Sequence, residues 1–162
     1  MKVEQKELEQ RMLRFERKCR EAGVKLTHQR VEIFRQLART SEHPDARTVY
    51  RGVRERVPTM SLDTVYRTLW LFNDLGLIST LGPPHESARF DANFRQHHHF
   101  ICRQCGMTID FNSTVLDKLR FPPSVETVGS VETVHVEARG VCHQCAAKAG
   151  TTSYRNEKKE GE

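Results

Sequence analysis

The chain has 162 residues, enough for one domain or two small ones. No apolar run approaches the roughly 18 residues that a transmembrane helix needs, so we expect no membrane span. The first residues, 1–6, are charged and lack the apolar segment of a signal peptide, which favours a cytoplasmic protein. The net charge of +5 lies entirely in residues 1–85, where 16 lysines and arginines face 11 acidic residues; residues 86–162 carry ten of each. A positive first half favours a polyanionic partner.

The first half reads as consecutive helices followed by a hairpin. Apolar residues recur every three or four positions, and capping residues stand at the predicted helix ends. The predicted elements are a helix over 8–22 that ends at Gly23, a helix capped by Thr27, a helix entered at Pro44, a helix over 62–75 capped by Ser61, and strands over 77–81 and 88–90. The buried stripe of the first helix includes Cys19, the one cysteine outside a Cys-x-x-Cys pair.

Helices followed by a short hairpin make a winged helix, and the alternative is an unspecialised helical bundle. The hairpin and the positive charge argue against the bundle. In a winged helix the fourth helix enters the major groove of DNA. Its exposed face is predicted to present Thr64, Tyr66, Arg67 and Thr68, and Lys25 and Arg30 are further candidates for phosphate or minor-groove contacts. Any of these could equally be a solvated surface residue.

Two Cys-x-x-Cys pairs, Cys102/Cys105 and Cys142/Cys145, stand in the second half. Four thiolates complete a closed tetrahedral site, the usual form of structural zinc, and we expect one zinc ion per chain. The 36 residues between the pairs mean that the site would join distant parts of a domain. The alternatives are two disulfides or a redox-active pair. An odd cysteine count suits reduced thiols better than a disulfide framework.

A second group of metal-ligating residues surrounds the first pair. The run 96–101 contains three consecutive histidines, Asp91 precedes it, and Asp110 follows Cys105. Imidazole and carboxylate ligands suit iron, manganese or zinc in an open site. The histidine run could instead be a solvated loop, but strand-like sequence flanks it on both sides.

The rest of the second half is predicted to form a small sheet. Strands flank the first cysteine pair at 100–102 and 107–111, Ser113 caps a helix over 114–120, and residues 131–139 alternate as a strand. A sheet of this size is marginal alone, so we expect a dimer that buries it. The predicted fold class is α+β, with a winged-helix domain over 1–85, a hinge at about 82–88, a dimerisation and metal-binding domain over 89–150, and a disordered tail over 151–162.

With these motifs, the chain resembles the ferric uptake regulator family. The resemblance covers roughly residues 10–148 and rests on SLDTVYRTL at 61–69, HHHFICRQCG at 97–106 and GVCHQC at 140–145. It implies a homodimeric repressor that binds a palindromic operator in double-stranded DNA. It also implies a structural zinc and one regulatory metal ion per chain at the joint between the two domains, with repression when that metal is bound.

Within the family, the chain is most similar to the peroxide-responsive repressors. That resemblance implies a regulatory Fe²⁺ or Mn²⁺ site formed by His43, Asp91, His97, His99 and Asp110. It also implies that peroxide oxidises His43 and His97 when iron is bound. Tyr66-Arg67 is closer to the iron-uptake members. A further site of those members, which would draw on His98 and Asp117, lacks a histidine here because Val134 stands in its place.

Three other functions compete with this interpretation. An iron- or other metal-uptake repressor of the same family would differ only in what the regulatory site senses. A metal-dependent enzyme would need a substrate pocket and a general base, which the sequence does not mark. A rubredoxin-like electron carrier would bind iron rather than zinc at the four cysteines.

Overall fold

The computed structural model describes residues 3–82, 88–131 and 134–149, and the chain divides into two compact units, 1–95 and 96–162. The predicted hinge at about 82–88 lies almost wholly outside the described residues, and so does the predicted tail over 151–162. Within the described ranges, none of the helices combines the length and the hydropathy that spanning a bilayer requires.

The first unit contains four helices and a two-stranded hairpin. Side chains cap three of the helices, because Thr27, Asp45 and Ser61 each accept a hydrogen bond from the backbone N–H three residues later. The elements are α1 (Gln5–Glu21), α2 (His28–Ala38), α3 (Ala46–Arg54), α4 (Leu62–Asp74), β1 (Ser79–Leu81) and β2 (Arg89–Asp91).

An aromatic cluster lies at the centre of this unit. The rings of Phe15 and Phe34 stack with centroids 4.2 Å apart, and Phe72 meets both edge-on. All three side chains are fully buried, as is Cys19 on α1. The cluster therefore joins α1, α2 and α4 and fixes which face of α4 remains outside the core.

The hairpin pairs β1 with β2 in antiparallel register, with Ser79 opposite Asp91 and Leu81 opposite Arg89. Gly82 follows β1 with a φ of +78°, a conformation that glycine adopts without steric cost. Helices followed by this hairpin confirm the predicted α+β, winged-helix class for the first unit.

The second unit is built on a three-stranded sheet in the order β4-β3-β5. The strand β3 pairs antiparallel with β4 and parallel with β5. A parallel pair needs a long crossover, and the chain between β4 and β5 provides it. The elements are β3 (His98–Cys102), β4 (Thr108–Phe111), a 3₁₀ turn (Leu116–Lys118), α5 (Pro123–Glu126), β5 (Glu137–Gly140) and α6 (His143–Lys148).

Several predicted details differ from the structure. The helix predicted to be entered at Pro44 begins at Ala46, and its cap is Asp45, whose carboxylate accepts the Thr48 N–H at 2.7 Å. The helix predicted over 114–120 is only a 3₁₀ turn, although Ser113 does accept the Leu116 N–H at its start. The helices α5 and α6 were not predicted, because segments of four and six residues are too short to show a period.

Candidate functional site

The four cysteines of the second unit converge. Each offers a sulfur atom, and these atoms all lie within 4.8 Å of one another. The Sγ atoms of Cys105 and Cys142 are 3.8 Å apart. A tetrahedron with Zn–S bonds of about 2.3 Å has edges of about 3.8 Å, so this spacing fits zinc. The arrangement has no disulfide: all five cysteines are free thiols.

Local backbone geometry brings the two cysteine pairs together. The first pair lies in a tight turn in which the Gly106 N–H donates to the Cys102 carbonyl at 2.9 Å, and Gly106 has a φ of +69°. The second pair begins α6, where the Cys142 sulfur accepts the Cys145 N–H at 3.5 Å. Gly140 on β5 pairs with Cys102 on β3. The second cysteine pair begins two residues after Gly140 and therefore lies close to the first pair.

The thiols differ in acidity. Backbone N–H groups of Cys105 and Cys142 point at the sulfur of Cys102 and lower its pKa to about 6. Side-chain hydrogen bonds with Cys142 and Cys105 raise the pKa of Cys145 to about 12. Four crowded thiols cannot all ionise without a cation, and a dication that binds four thiolates removes that conflict. The donor set therefore fits a closed zinc site.

Imidazole and carboxylate groups also converge in the second unit. His99 on β3 pairs directly with Asp110 on β4, and its Nε2 lies 3.5 Å from the Asp110 carboxylate. The Nε2 atoms of His97 and His99 are 2.8 Å apart. Two nitrogens bound to one ion at about 2.1 Å and at right angles would be about 3 Å apart, so the two rings are placed as neighbouring ligands. Nitrogen and oxygen donors of this kind suit iron, manganese or zinc.

The first unit holds a smaller group of the same chemistry. The Nε2 of His43 lies 3.8 Å from a carboxylate oxygen of Asp91, and both side chains are buried, at 1% and 5% exposed. Asp91 ends β2, and its carboxylate accepts the Asn93 N–H at 2.7 Å. His43 has a φ of +49°, the one positive value outside glycine among the described residues. Strained backbone of this kind is concentrated at functional sites.

His98 has different partners from His97 and His99. It is fully buried, its Nδ1 accepts the Val136 N–H at 3.2 Å, and its Nε2 lies 3.1 Å from Asp117. No third metal-ligating side chain joins this pair within the described ranges. Val134, which stands where the sequence comparison expected a further histidine, accepts a hydrogen bond of 2.6 Å from the Gln96 amide at its carbonyl.

A groove of about 500 Å³ lies in the first unit between the start of α2 and α4. It is open to solvent and basic. Five of the six candidate DNA-contacting residues line it, and Tyr66 instead packs partly buried against the core. Thr68 was predicted to be exposed but is only 7% exposed, because it turns toward the core at the floor of the groove. The residues that line the groove are Lys25, Thr27, Gln29, Arg30, Thr64, Arg67, Thr68 and Leu71.

Side-chain contacts divide the basic residues of the groove into two kinds. Arg30 donates to the Lys25 carbonyl at 2.7 Å and so braces the loop before α2. Arg67 is 81% exposed, and its guanidinium lies 3.7 Å from the Asp63 carboxylate. An exposed pair of this kind contributes little to stability. Arg67 is therefore available to a ligand, whereas Arg30 is already engaged.

Two contacts near the predicted ligands were not foreseen from the sequence. The Arg89 side chain donates to the His43 carbonyl at 3.2 Å. The Nδ1 atom of His135 lies 3.3 Å from the His97 carbonyl oxygen. The centroids of the His97 and His135 rings are 6.0 Å apart. Arginine and histidine at these positions carry no local sequence signal for such contacts, since the partners are 46 and 38 residues away.

Known proteins resemble this chain over most of its length. The family model described as "Ferric uptake regulator family" matches residues 21–139. The peroxide-responsive repressor PerR of Staphylococcus epidermidis is 36% identical over 126 residues, which are 78% of this chain and 84% of that protein. PerR of Staphylococcus aureus is 34% identical over 148 residues, 91% of this chain and all of that protein.

A solved structure shows the same fold. The ferric uptake regulator Fur of Helicobacter pylori superimposes with a TM-score of 0.67 at 23% identity, over 90% of this chain and 96% of that one. These relatives are transcriptional regulators rather than enzymes. The chain belongs to the ferric uptake regulator family.

Proposed function

We propose that this chain is a metal-dependent, homodimeric transcriptional repressor that senses peroxide. The observation that carries the proposal is a pair of ligand groups, one in each unit: buried His43 with buried Asp91, and buried His97 and His99 with partly exposed Asp110. The similarity to two peroxide-responsive repressors over most of the chain supports it.

In this proposal one regulatory Fe²⁺ or Mn²⁺ ion binds all five side chains. Because two ligands belong to the first unit and three to the second, binding would hold the two units in one relative orientation. Two recognition helices must be spaced by a helical turn or a multiple of it to read a palindrome. Metal would therefore increase the fraction of dimers that are competent for DNA, which raises apparent affinity.

The second unit supports dimerisation. A three-stranded sheet is small for independent stability, and several large apolar side chains are left exposed around it. The fractional exposures are 49% for Ile109, 43% for Leu119, 75% for Val115 and 38% for Val141. A second copy of the chain would cover such a surface, as family members form dimers.

The DNA interface in this proposal is α4 with the basic groove. Arg67 would donate to a guanine edge or to a phosphate, and Lys25 to the sugar–phosphate backbone. Thr64 and Tyr66 would add contacts from the same helix. Arg30 would act mainly by holding the Lys25 loop in place.

Peroxide sensing would depend on the histidines. Ferrous iron held by these residues would supply the redox chemistry that activates peroxide, whereas manganese would not. His43 and His97 would then each be able to take up one oxygen atom, with the second oxygen of the peroxide leaving as water. An oxidised ring is a poor ligand, so both the metal and the DNA would be released.

The test compares the Fe²⁺ form of the zinc-loaded protein with its Mn²⁺ form. Both should bind the operator, and low peroxide should abolish binding only in the iron form. Mass spectrometry should find one added oxygen on the peptide with His43 or His97, with the four zinc cysteines unmodified. Oxidation of the cysteines before the histidines would contradict the proposal. An iron form that ignores peroxide would instead indicate a metal-uptake repressor.

A further inference from the structure

We propose that Arg89 is a positioning residue that holds His43 in its metal-binding conformation; this inference rests on the proposed regulatory site. Arg89 is not itself a ligand. It lies at the start of β2, in the first unit, two residues before Asp91. Its effect on the metal would be indirect, through the backbone of the loop that carries His43.

The backbone of His43 needs external support. A φ of +49° places this residue in the left-handed region, which is costly for any residue with a Cβ atom. Pro44 follows, and the residue before a proline is driven toward extended conformations. The following proline therefore disfavours the observed conformation, and strained backbone of this kind persists where the surroundings impose it.

Arg89 and its neighbour on β2 supply the contacts that impose it. The Arg89 side chain donates to the His43 carbonyl at 3.2 Å. The Phe90 N–H donates to the Pro44 carbonyl at 3.1 Å, and Asp45 forms a bridge with the Arg89 main chain. Three successive residues of the loop, 43–45, are thus fastened to the strand that ends in Asp91.

One consequence is that both ligands of the first unit share a single support. The strand that presents Asp91 also holds the loop that presents His43, which sets their side chains 3.8 Å apart. Preorganised ligands bind a metal more tightly because less ordering remains to be done on binding. Partners that orient ligands without touching the metal typically change affinity by about 10–100-fold when they are replaced.

The direction of the change in metal affinity distinguishes this positioning role from a direct electrostatic effect of the Arg89 charge. A guanidinium close to a cation site repels the cation, so removal of its charge should by itself strengthen metal binding. Loss of the hydrogen bond to His43 should weaken binding. Arg89→Gln removes the charge and shortens the donor, whereas Arg89→Lys keeps the charge and a donor that can reach a carbonyl.

The experiment titrates zinc-loaded protein with Mn²⁺ and follows free Mn²⁺ by its paramagnetic resonance signal, with no DNA present. We expect Arg89→Gln to bind Mn²⁺ roughly 10–100-fold more weakly and Arg89→Lys to recover most of that loss. Arg47→Gln, which removes an equal charge from the exposed face of α3, should leave affinity unchanged. Fluorescence of Trp70, the one tryptophan in the chain, checks that the first unit stays folded.

His43→Ala in the same titration separates failure of this inference from failure of the proposed site. Unchanged or tighter Mn²⁺ binding by Arg89→Gln, with binding lost in His43→Ala, would overturn the role of Arg89 and leave the regulatory site standing. Unchanged binding in His43→Ala would remove His43 from the site, and both proposals would fall.

Discussion

At the scale of single residues, one buried carboxylate with two arginine partners joins separate segments of the first unit. Glu32 on α2 is 4% exposed and interacts with two arginines, Arg35 on the same helix and Arg56 beyond α3, the latter at 2.5 Å. Burial opposes its ionisation, but the hydrogen bond from Arg56 and the charges of both arginines outweigh burial and lower its pKa. Glu32 therefore ties α2 to the segment that follows α3.

The free energy of unfolding of the first unit should depend on pH through the Glu32 carboxylate. Because its pKa is lower in the folded protein, its contribution is present above the ordinary value of 4.5 and is lost as the pH falls through the folded-state pKa. Glu32→Gln should cost about 1–3 kcal/mol at pH 7 and flatten the decline below pH 4.5. Urea unfolding followed by Trp70 fluorescence measures both effects.

A matched control for Glu32 is Glu55→Gln, which changes the same charge at an exposed position. It should be nearly neutral, since exposed charges contribute little. Equal stabilities for the two variants at pH 7 would show that the Glu32 network has no net effect.

At the scale of elements, the close approach of β3 and β5 brings the two cysteine pairs together. A Cβ added at Gly140 would lie 3.0 Å from the Phe100 ring, closer than ordinary packing allows. The backbone also joins here, since the Arg103 N–H donates to the Gly140 carbonyl at 2.8 Å. Glycine at this position lets the second pair reach the first.

Gly140→Ala should therefore loosen the zinc site. We expect the strands to shift apart and zinc to leave faster when a chelator is added, with a destabilisation of about 1–3 kcal/mol. Release can be followed with a dye that absorbs on binding zinc. Gly129→Ala is the control, because a Cβ there meets nothing within 4 Å. Identical release rates for the two variants would show that the approach at Gly140 does not matter.

Arg67, on the exposed face of α4, is the predicted DNA contact that a single substitution can test most directly. Arg67→Ala should weaken binding to an operator selected from random duplexes by about 1–3 kcal/mol if the guanidinium contacts a base. If it contacts only phosphate, the loss should be similar for every sequence, and the slope against log salt concentration should fall by about 1. Gel-shift titration at several salt concentrations separates the two.

The comparison variant for Arg67 is Arg17→Ala on α1, which removes the same charge from a residue that does not line the groove. It should leave specific binding unchanged. Equal affinity of Arg67→Ala and the parent protein for the selected operator would remove Arg67 from the interface.

At the scale of the whole molecule, the two units are stabilised by different means. The first unit has a hydrophobic core of its own, centred on Phe15, Phe34 and Phe72. The second has a small sheet and the four thiols, and small domains of this kind commonly depend on a metal for folding. Loss of zinc should therefore affect the second unit and spare the first.

Cys142→Ser tests this division. We expect it to lose zinc and the dimer, as measured by light scattering, while the thermal transition reported by Trp70 stays close to that of the parent protein. Cys19→Ala should have the opposite effect, because Cys19 is buried in the core of the first unit. This variant should keep one zinc ion per chain, and the temperature of the thermal transition reported by Trp70 should fall. A Cys142→Ser variant that remains a stable dimer would contradict the structural role of zinc.

The sequence by itself determined the main helices of the first unit and the chemistry of the ligands. Apolar spacing and capping residues such as Thr27 and Ser61 act within a few residues, so the helices of the first unit could be predicted. The spacing of Cys102 and Cys105 likewise has a local meaning. Only the tertiary structure decided which distant residues support those ligands. The left-handed backbone of His43, its contact with Arg89 and the inward turn of Thr68 all depend on packing between segments far apart in the chain, which local patterns do not encode.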